Sequence, residues 1–292
     1  MRNIKNPRRP PLLRAKHYKL PSIFQPDNLL REARRQKKKT LGAVPPICVL
    51  DPDGDVTAHL VELGRARKNP NWACYHTQLY DVDVDGQRFG LLPVAVGASF
   101  AVLVAEQLFV SGCKLLVSVT SAGLLDTRLK PPFFLLIEKA LRDEGTSYHY
   151  CPPSDYSSID HRLARRLVKE FARRSLPVLK GATWTTDAPF RETSKAIAAA
   201  KKLGLHAVEM EAAALYAFAK ARRKQVVCYA FVTNQMAAAE GDFEKGPNHG
   251  VEEFLAVIKA TNAGSRQIAT SPSSSRSQRA SKKSPPSSPR IG

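Results

Sequence analysis

The sequence predicts a single three-layer α/β domain in which helices flank a central mixed, mostly parallel sheet. In residues 91–123, an apolar run, a Gly-Ala-Ser turn, a helical period and a second apolar run follow one another. A strand, a crossover helix and a strand of this length form a βαβ unit with parallel strands. Strand and helix patterns also alternate in the second half of the chain, up to residue 262. A length of 292 residues with 43% hydrophobic content suffices for one sizeable core.

Apolar periodicity, capping residues and turn residues predict the individual elements. The pair Asp85-Gly86 indicates a hairpin turn. In chain order, the expected elements are a short helix capped at Asp27 or Asn28, a strand at 46–51, a helix at 56–67, a hairpin at 74–94, a strand at 91–96, a helix at 100–111, a strand at 114–120, a basic amphipathic helix at 155–174, a strand beginning at 176, a helix at 193–203, a strand at 206–210, a helix at 211–223, a strand at 226–233 and a last helix at 249–262.

Composition divides the chain into three parts. Residues 1–20 are predicted to be a disordered basic arm, residues 21–263 the folded domain, and residues 264–292 a disordered Ser/Pro/basic tail. From Thr270 onward, 23 residues include nine Ser and four Pro and no aromatic side chain. Such a segment cannot bury enough apolar surface to fold.

The net charge of +19 is concentrated at the two ends of the chain. Residues 1–40 contribute +11 and residues 264–292 contribute +6, which leaves +2 for the segment between them. A nearly neutral centre argues against a domain built to bind nucleic acid. Solvated basic tails are the preferred interpretation, and tails that dock on RNA or another polyanion are the alternative.

Cysteine usage and hydropathy restrict the class of protein further. The five cysteines are widely spaced and form no CxxC pair, which is typical of reduced thiols and not of a disulfide framework or a zinc site. The most apolar stretch, residues 91–110, is interrupted by polar residues, so no membrane span and no membrane partner are expected. The basic N-terminus lacks the apolar segment of a secretory signal. A cytoplasmic location is predicted, and an organellar transit peptide is the open alternative.

Polar residues follow several predicted strands, where ligands of α/β sheets usually bind. These segments are DPDGD at 51–55, VGAS at 96–99, TSAG at 120–123, VEMEAA at 208–213 and FVTNQ at 231–235. Two positions apart on a helix point about 200° from each other, so Glu209 and Glu211 should not both face one ligand. At most one of them is expected to contact a substrate, and the other is expected to be structural.

Residues 208–216 read VEMEAAALY, which is similar to the signature of the nucleoside phosphorylase family. That family includes purine nucleoside phosphorylases, uridine phosphorylases and related nucleosidases. The resemblance covers roughly residues 45–260. Further segments agree in order: VAVGAS at 94–99 resembles the family's Gly-Pro-Ser turn with Ala98 in place of proline, Glu106, Gly112 and SVTSAG at 118–123 follow, and GATWTTD at 181–187 falls where the family has a base-contacting loop.

The resemblance implies roles for individual residues in binding a nucleoside. Met210 would pack against the sugar, and Glu211 would bind its 2′ and 3′ hydroxyls, because a carboxylate accepts two hydroxyl donors at once. Asn234 would contact the leaving base and favour 6-oxopurines, whose N7 and O6 an amide can bond together. The aromatic side chains that could stack on the base are Trp184, Phe190 and Phe100.

The resemblance also implies inorganic phosphate as co-substrate, and neither another cofactor nor a metal is expected. Phosphate would be held by Gly54, Ser99, Thr120 and Ser121. Two arginines of the family's phosphate site are missing, since Ala58 and Ser118 stand roughly in their places. Three aspartates crowd the first turn instead, and their charges would repel a phosphate dianion.

Three functions remain open on these residues. Phosphorolysis, which yields a free base and ribose 1-phosphate, is preferred because most of the family performs it. The missing cation would then be Arg88, Arg128, His59 or a residue of a neighbouring subunit in a homo-oligomer. In the second, water attacks, with Asp53 or Asp55 as general base. In the third, the protein binds a nucleoside without cleaving it.

Overall fold

Ten strands build one mixed sheet in the computed structural model, which describes residues 10–234, 245 and 247–266. The strands are β1 (Ile47–Asp51), β2 (Ala66–Lys68), β3 (Tyr80–Val84), β4 (Gln87–Pro93), β5 (Leu115–Leu124), β6 (Phe133–Asp143), β7 (Tyr156–Ser158), β8 (Val178–Thr186), β9 (Ala207–Glu209) and β10 (Gln225–Asn234). The helices are α1 (Pro26–Gln36), α2 (Asp55–Glu62), α3 (Ala98–Val110), α4 (Ser147–Tyr150), α5 (His161–Arg173), α6 (Ser194–Lys202), α7 (Ala212–Arg222) and α8 (Val251–Arg266). Short 3-10 turns lie at Pro11–Leu13, Pro189–Arg191 and Pro247–Gly250.

Five strands of the sheet close into a ring. The order runs β5, β10, β6, β8, β9 and back to β5. From β5 the sheet continues as an open extension through β1, β4, β3 and β2, and β7 pairs with β6 outside this path. Among the described strands, five pairings are parallel and five are antiparallel. The predicted α/β domain with a central mixed sheet and flanking helices is confirmed, and closure of the ring is an addition that the sequence did not predict.

The predicted βαβ unit is present as β4, α3 and β5. Both strands pair in parallel with β1, which lies between them, so α3 crosses over one intervening strand. The same register brings the carboxyl ends of β1, β4 and β5 to one edge, because Asp51 lies beside Pro93 and Leu50 beside Ser118. This edge carries the polar turns identified in the sequence.

Several predicted elements have different bounds in the structure, and three of these differences have a local cause. The helix expected at 56–67 ends at Glu62, because Gly64 adopts a left-handed conformation (φ 67°) and turns the chain into β2. The helix expected at 155–174 begins at His161, where the Asp160 carboxylate accepts the Leu163 amide and caps it. The strand expected at 91–96 ends at Pro93, and Val94 has φ 62°.

The described elements extend beyond both predicted bounds of the folded domain, residues 21 and 263. Helix α8 continues to Arg266, beyond the predicted boundary at 263. Part of the predicted N-terminal arm contacts α4, since Lys16 Nζ lies 2.9 Å from His149 Nδ1. The rest of the predicted arm, residues 1–9, and the tail from 267 lie outside the described residues. Within the described residues, no helix is long and apolar enough to cross a membrane.

Buried hydroxyl groups fasten the helices to the ring. Tyr216 of α7 is buried, and its hydroxyl donates to the Ile137 carbonyl at 2.6 Å and accepts the Cys228 amide at 3.0 Å. Tyr229 and Thr261 share a hydrogen bond of 2.7 Å that joins β10 to α8. These bonds satisfy polar groups inside an apolar core, where an unpaired group is costly.

Tyr216→Phe is expected to destabilise the domain by about 1–3 kcal/mol, because the Cys228 amide would lose its buried acceptor. Urea unfolding at equilibrium measures the change. Tyr75→Phe serves as the matched control, since the Tyr75 hydroxyl bonds to Gln36 at the surface. Equal losses in both variants would show that the Tyr216 hydroxyl has no special role.

Candidate functional site

The loop after β1 is held by its first aspartate. Asp51 is buried, and its Oδ2 accepts both the amide and the hydroxyl of Thr57 at 2.8 Å, at the start of α2. Burial raises the pKa of Asp51, and the bonds from Thr57 act against that rise. Gly54 donates its amide to the Asp51 carbonyl at 3.0 Å and has φ 84°. Asp51 and Gly54 therefore shape the loop internally.

The other two aspartates of this loop meet a lysine from far along the chain. Lys245 Nζ lies 2.7 Å from Asp53 Oδ2 and 2.9 Å from Asp55 Oδ2, and only 11% of its side chain is exposed. Burial lowers the pKa of Lys245, but the neighbouring charges of Asp53 and Asp55 outweigh it, so the net pKa is raised. Lys245 is therefore a fixed cation between the two carboxylates.

Asp53 also accepts hydrogen bonds from Ser121 near the end of β5. Its Oδ2 accepts the Ser121 hydroxyl at 2.5 Å and the Ser121 amide at 3.2 Å. Ser121 lies near the carboxyl end of β5, where phosphate binding was predicted. The carboxylate of Asp53 is therefore bonded to the same donors that were predicted to bind phosphate.

Glu211 lies at the N-terminus of two helices. It is the N-cap of α7, and its Oε1 accepts the Gly97 amide at 2.7 Å just before α3. Burial and then the charge of Glu209 raise the pKa of Glu211 to about 8, and Asp53 adds to this rise. Its other oxygen, Oε2, is buried without a hydrogen-bond partner among the described residues. The site therefore contains one buried carboxyl group with an unused oxygen.

Glu209 has a different set of contacts. Its Oε1 accepts the hydroxyls of Thr183 and Thr185, and its Oε2 accepts the amides of Glu211 and Ala212 at 2.8 and 2.7 Å. Burial raises the pKa of Glu209, and these bonds act against the rise. Glu209 thus joins β8 to the first turn of α7, and the two glutamates face different partners.

The residues predicted to contact sugar and base fall into two groups. Met210 is half-buried between the two glutamates, and Asn234 ends β10 in register with Gly123 of β5. The Asn234 side chain lies outside what the structure describes. Met210 adjoins Glu211 along the chain, whereas the partner of Asn234 across the sheet, Gly123, lies two residues after Ser121. Their roles stay predictions.

The predicted aromatic contacts occupy three environments. Trp184 is 5% exposed in a small core cluster with Leu125 and Val208, and its indole donates to Asp143 at 2.9 Å. Phe190 is 98% exposed, and Phe100 packs against the main core. The expected base-contacting loop at 181–187 is mostly the strand β8. Stacking on a base by any of these rings stays a prediction.

The remaining predicted phosphate contacts are Ser99 and Thr120. Ser99 is exposed in the first turn of α3, whereas Thr120 is buried and donates to the Ser121 carbonyl at 3.2 Å. The arginines proposed as substitute cations have other partners: Arg88 pairs with Asp81 at 2.6 Å, and Arg128 pairs with Asp126 at 2.7 Å. His59 is half-buried on α2.

Sequence reasoning missed Lys245 as the cation of this site. It is separated from Asp53 by 192 positions, in a segment for which no element was predicted. A lysine in a loop is ordinarily a solvated charge, and no local pattern distinguishes this one. Its role follows only from the tertiary contact.

The comparisons with known proteins agree with this architecture. One curated relative, a DeoD-type purine nucleoside phosphorylase from Myxococcus xanthus, is 28% identical over 136 residues. That match covers 46% of this chain and 57% of the length of the relative.

Three solved structures share the fold. A uridine phosphorylase from Vibrio fischeri, complexed with 6-hydroxy-1-naphthoic acid, has a TM-score of 0.66 and 18% identity, over 80% of this chain and 99% of its own. An AMP nucleosidase from Bacteroides thetaiotaomicron has a TM-score of 0.64 and 16% identity, over 85% and 100%. A purine nucleoside phosphorylase from Toxoplasma gondii, in complex with immucillin-H, has a TM-score of 0.64 and 14% identity, over 77% and 93%.

A family model for the phosphorylase superfamily matches residues 46–269, which include all ten strands and nearly all of the described helices. By this match over most of its length, the chain belongs to the phosphorylase superfamily.

Proposed function

We propose that this protein cleaves the N-glycosidic bond of a purine nucleoside, and that water is the attacking nucleophile. The observation that carries the choice of water is the position of Asp53. Its carboxylate already holds the amide and hydroxyl of Ser121, and Gly54 is bonded to Asp51. Thr120 donates to the Ser121 carbonyl, so three of the four predicted phosphate contacts have internal partners.

The charges at the carboxyl ends of β1 and β5 disfavour the binding of phosphate. Asp53 and Asp55 together offset the single charge of Lys245, and the positions of the two missing family arginines are Ala58 and Ser118. A phosphate dianion entering here would meet carboxylates at short range without a compensating cation. A water molecule carries no such penalty.

Asp53 is suited to activate water. One of its oxygens is fixed by Ser121 and Lys245, and 33% of its side chain is exposed. A carboxylate held in this way can accept a proton from water through its other oxygen. Proton removal would make the water a better nucleophile for the ribosyl carbon, whose transition state resembles an oxocarbenium ion.

Glu211 and the end of β10 supply the remaining parts of the proposal. The buried Oε2 of Glu211 has no hydrogen-bond partner among the described residues and would accept a ribose hydroxyl, and Met210, the preceding residue in the chain, would contact the sugar. Asn234 would hydrogen-bond the departing base and so stabilise its negative charge. The fold is shared with an AMP nucleosidase, and this likeness supports the proposal of hydrolysis.

Phosphorolysis is the second candidate, and Lys245 is the observation in its favour. If Asp53 swings away from Ser121, Lys245 and the freed Ser121 donors would form an anion site with Ser99 and Thr120. Phosphate binding would require the hydrogen bonds between Asp53 and Ser121 to break, whereas attack by water would leave them intact.

The first prediction from this proposed function concerns the co-substrate. With inosine or guanosine, and with phosphate removed from the buffer, the protein is expected to release free base and free ribose at the rate seen with added phosphate. Chromatography of the sugar product distinguishes ribose from ribose 1-phosphate. Strict dependence on phosphate would replace hydrolysis by phosphorolysis.

The second prediction concerns the general base. Asp53→Asn is expected to lower kcat by about 10²–10⁴, the usual contribution of general base catalysis. Asp55→Asn is the matched control, because it removes a carboxylate that also pairs with Lys245 but has no bond to Ser121. A larger loss in Asp55→Asn would transfer the role of base to Asp55.

The third prediction concerns pH. Below its pKa of about 8, Glu211 is protonated, and its ionised fraction rises about tenfold per pH unit up to that value. If the ionised form accepts the ribose hydroxyls, the affinity for a non-cleavable C-nucleoside should rise between pH 6 and 8 and then level off. Calorimetric titration measures it. Glu211→Gln should remove this dependence, and an unchanged profile would exclude Glu211 as its origin.

The fourth prediction concerns the base. Asn234→Asp is expected to shift the preference from 6-oxopurines toward 6-aminopurines, because a protonated carboxyl can donate to N7 but does not reproduce the amide's pairing with O6. The ratio of kcat/KM for inosine and adenosine measures the shift. An unaltered ratio would mean that Asn234 does not contact the base.

A further inference from the structure

A cavity lies at the other end of α7 from Glu211. Its volume is about 890 Å³, and its walls are the first turns of α5, the last turn of α7, β7 and the start of β10. Helix α7 has eleven residues, so its two ends are about 16 Å apart. The cavity is therefore distinct from the site that contains Glu211 and Asp53.

The cavity is lined by many cations and one acid. The basic residues on its walls are Arg142, Arg162, Arg166, Lys220, Arg223 and Lys224. The single acidic residue is Asp160, whose carboxylate is already used to cap α5. The wall is thus strongly positive although the central segment of the chain is nearly neutral.

Six of these cations have no acidic partner in the part of the chain that the structure describes, and four of the six have no other side-chain partner there either. Arg142 bonds to Ser147, Ser154 and nearby carbonyls, and Lys224 lies over the ring of Phe109 at 5.3 Å. No ion pair or hydrogen bond joins the side chains of the others to a described residue. These four are Arg162, Arg166, Lys220 and Arg223, of which Arg166 is half-buried and the other three are exposed.

Two of the cations, Arg162 and Arg166, lie where a nearby anion would stabilise them. Arg166 Nε is buried without an acceptor among the described residues, and a buried donor without a partner is costly. Arg162 lies in the first turn of α5, a turn without acidic residues, where the helix dipole is positive. An anion in the cavity would relieve both conditions.

We propose that this cavity binds a small molecule that carries two or more phosphate groups. A cavity of about 890 Å³ lies within the range of small-molecule sites. One phosphate carries about two negative charges, so four unpaired cations match at least two phosphates. Arginine is well suited to phosphate because its guanidinium presents paired donors to two oxygens.

Calorimetric titration of the full-length protein with inorganic tripolyphosphate tests the proposal. Binding at one site per chain is expected, with weaker binding of inorganic phosphate. The double substitution Arg162→Gln and Arg166→Gln is expected to weaken tripolyphosphate binding at least about tenfold, because each lost charge-assisted bond lowers affinity. A circular dichroism spectrum and a Tm equal to those of the unsubstituted protein would show that the variant is still folded.

A matched control separates this cavity from general attraction to a basic protein. Lys201→Gln with Lys202→Gln removes two exposed charges from the end of α6, outside the cavity, and should leave tripolyphosphate binding within about twofold. Equal weakening in both double variants, or no binding of tripolyphosphate, would overturn the proposal. Tight binding of an RNA oligonucleotide that the cavity variant does not weaken would assign the polyanion affinity to the basic ends of the chain instead.

Discussion

The segment from Glu209 to Glu211 is the constraint on which the rest of the site depends. Glu209 ties the threonines of β8 to the first turn of α7, while Glu211 holds the amide that precedes α3. Two buried carboxyl groups so close together repel each other, which is one reason why the pKa of Glu211 is raised. The fold tolerates this cost because helix N-termini and hydroxyl groups supply donors to both. The same contacts set the position of Glu211 relative to β5.

The loop after β1 also brings carboxylates close together. Three aspartates within five residues would repel one another, and in the structure they have different partners. Asp51 turns inward to Thr57, whereas Asp53 and Asp55 share Lys245. The resulting cluster presents no uncompensated cation to the site. Such a loop would not attract phosphate, because it has no positive charge in excess of its carboxylates. The replacement of the two family arginines by Ala58 and Ser118 therefore supports water as the proposed nucleophile.

Much of the fold follows from local patterns, and the parts that do not follow have identifiable physical causes. Apolar runs and caps predicted β1, α3, β5, α7 and β10, since each element buries a periodic apolar face. Ring closure depends on β6, for which no element was predicted although its residues 133–137 are a continuous apolar run. In the site, the family resemblance indicated Glu211 and Asn234, but Lys245 could not be identified, because its partners are 192 positions away. The environment of Trp184 also depends on packing between distant strands.

The charges at the two ends of α7 have different physical meanings. Carboxylates at its N-terminus and basic residues at its C-terminus both complement the helix dipole, so Lys220 and Arg222 are explained by α7 alone. Arg162 is not explained in this way, since it lies at the positive end of α5. Arg166 is not explained either, because burial of an unpaired guanidinium nitrogen stabilises nothing in the free protein. These two arginines, and not the total basicity of the chain, are what a bound polyphosphate would account for.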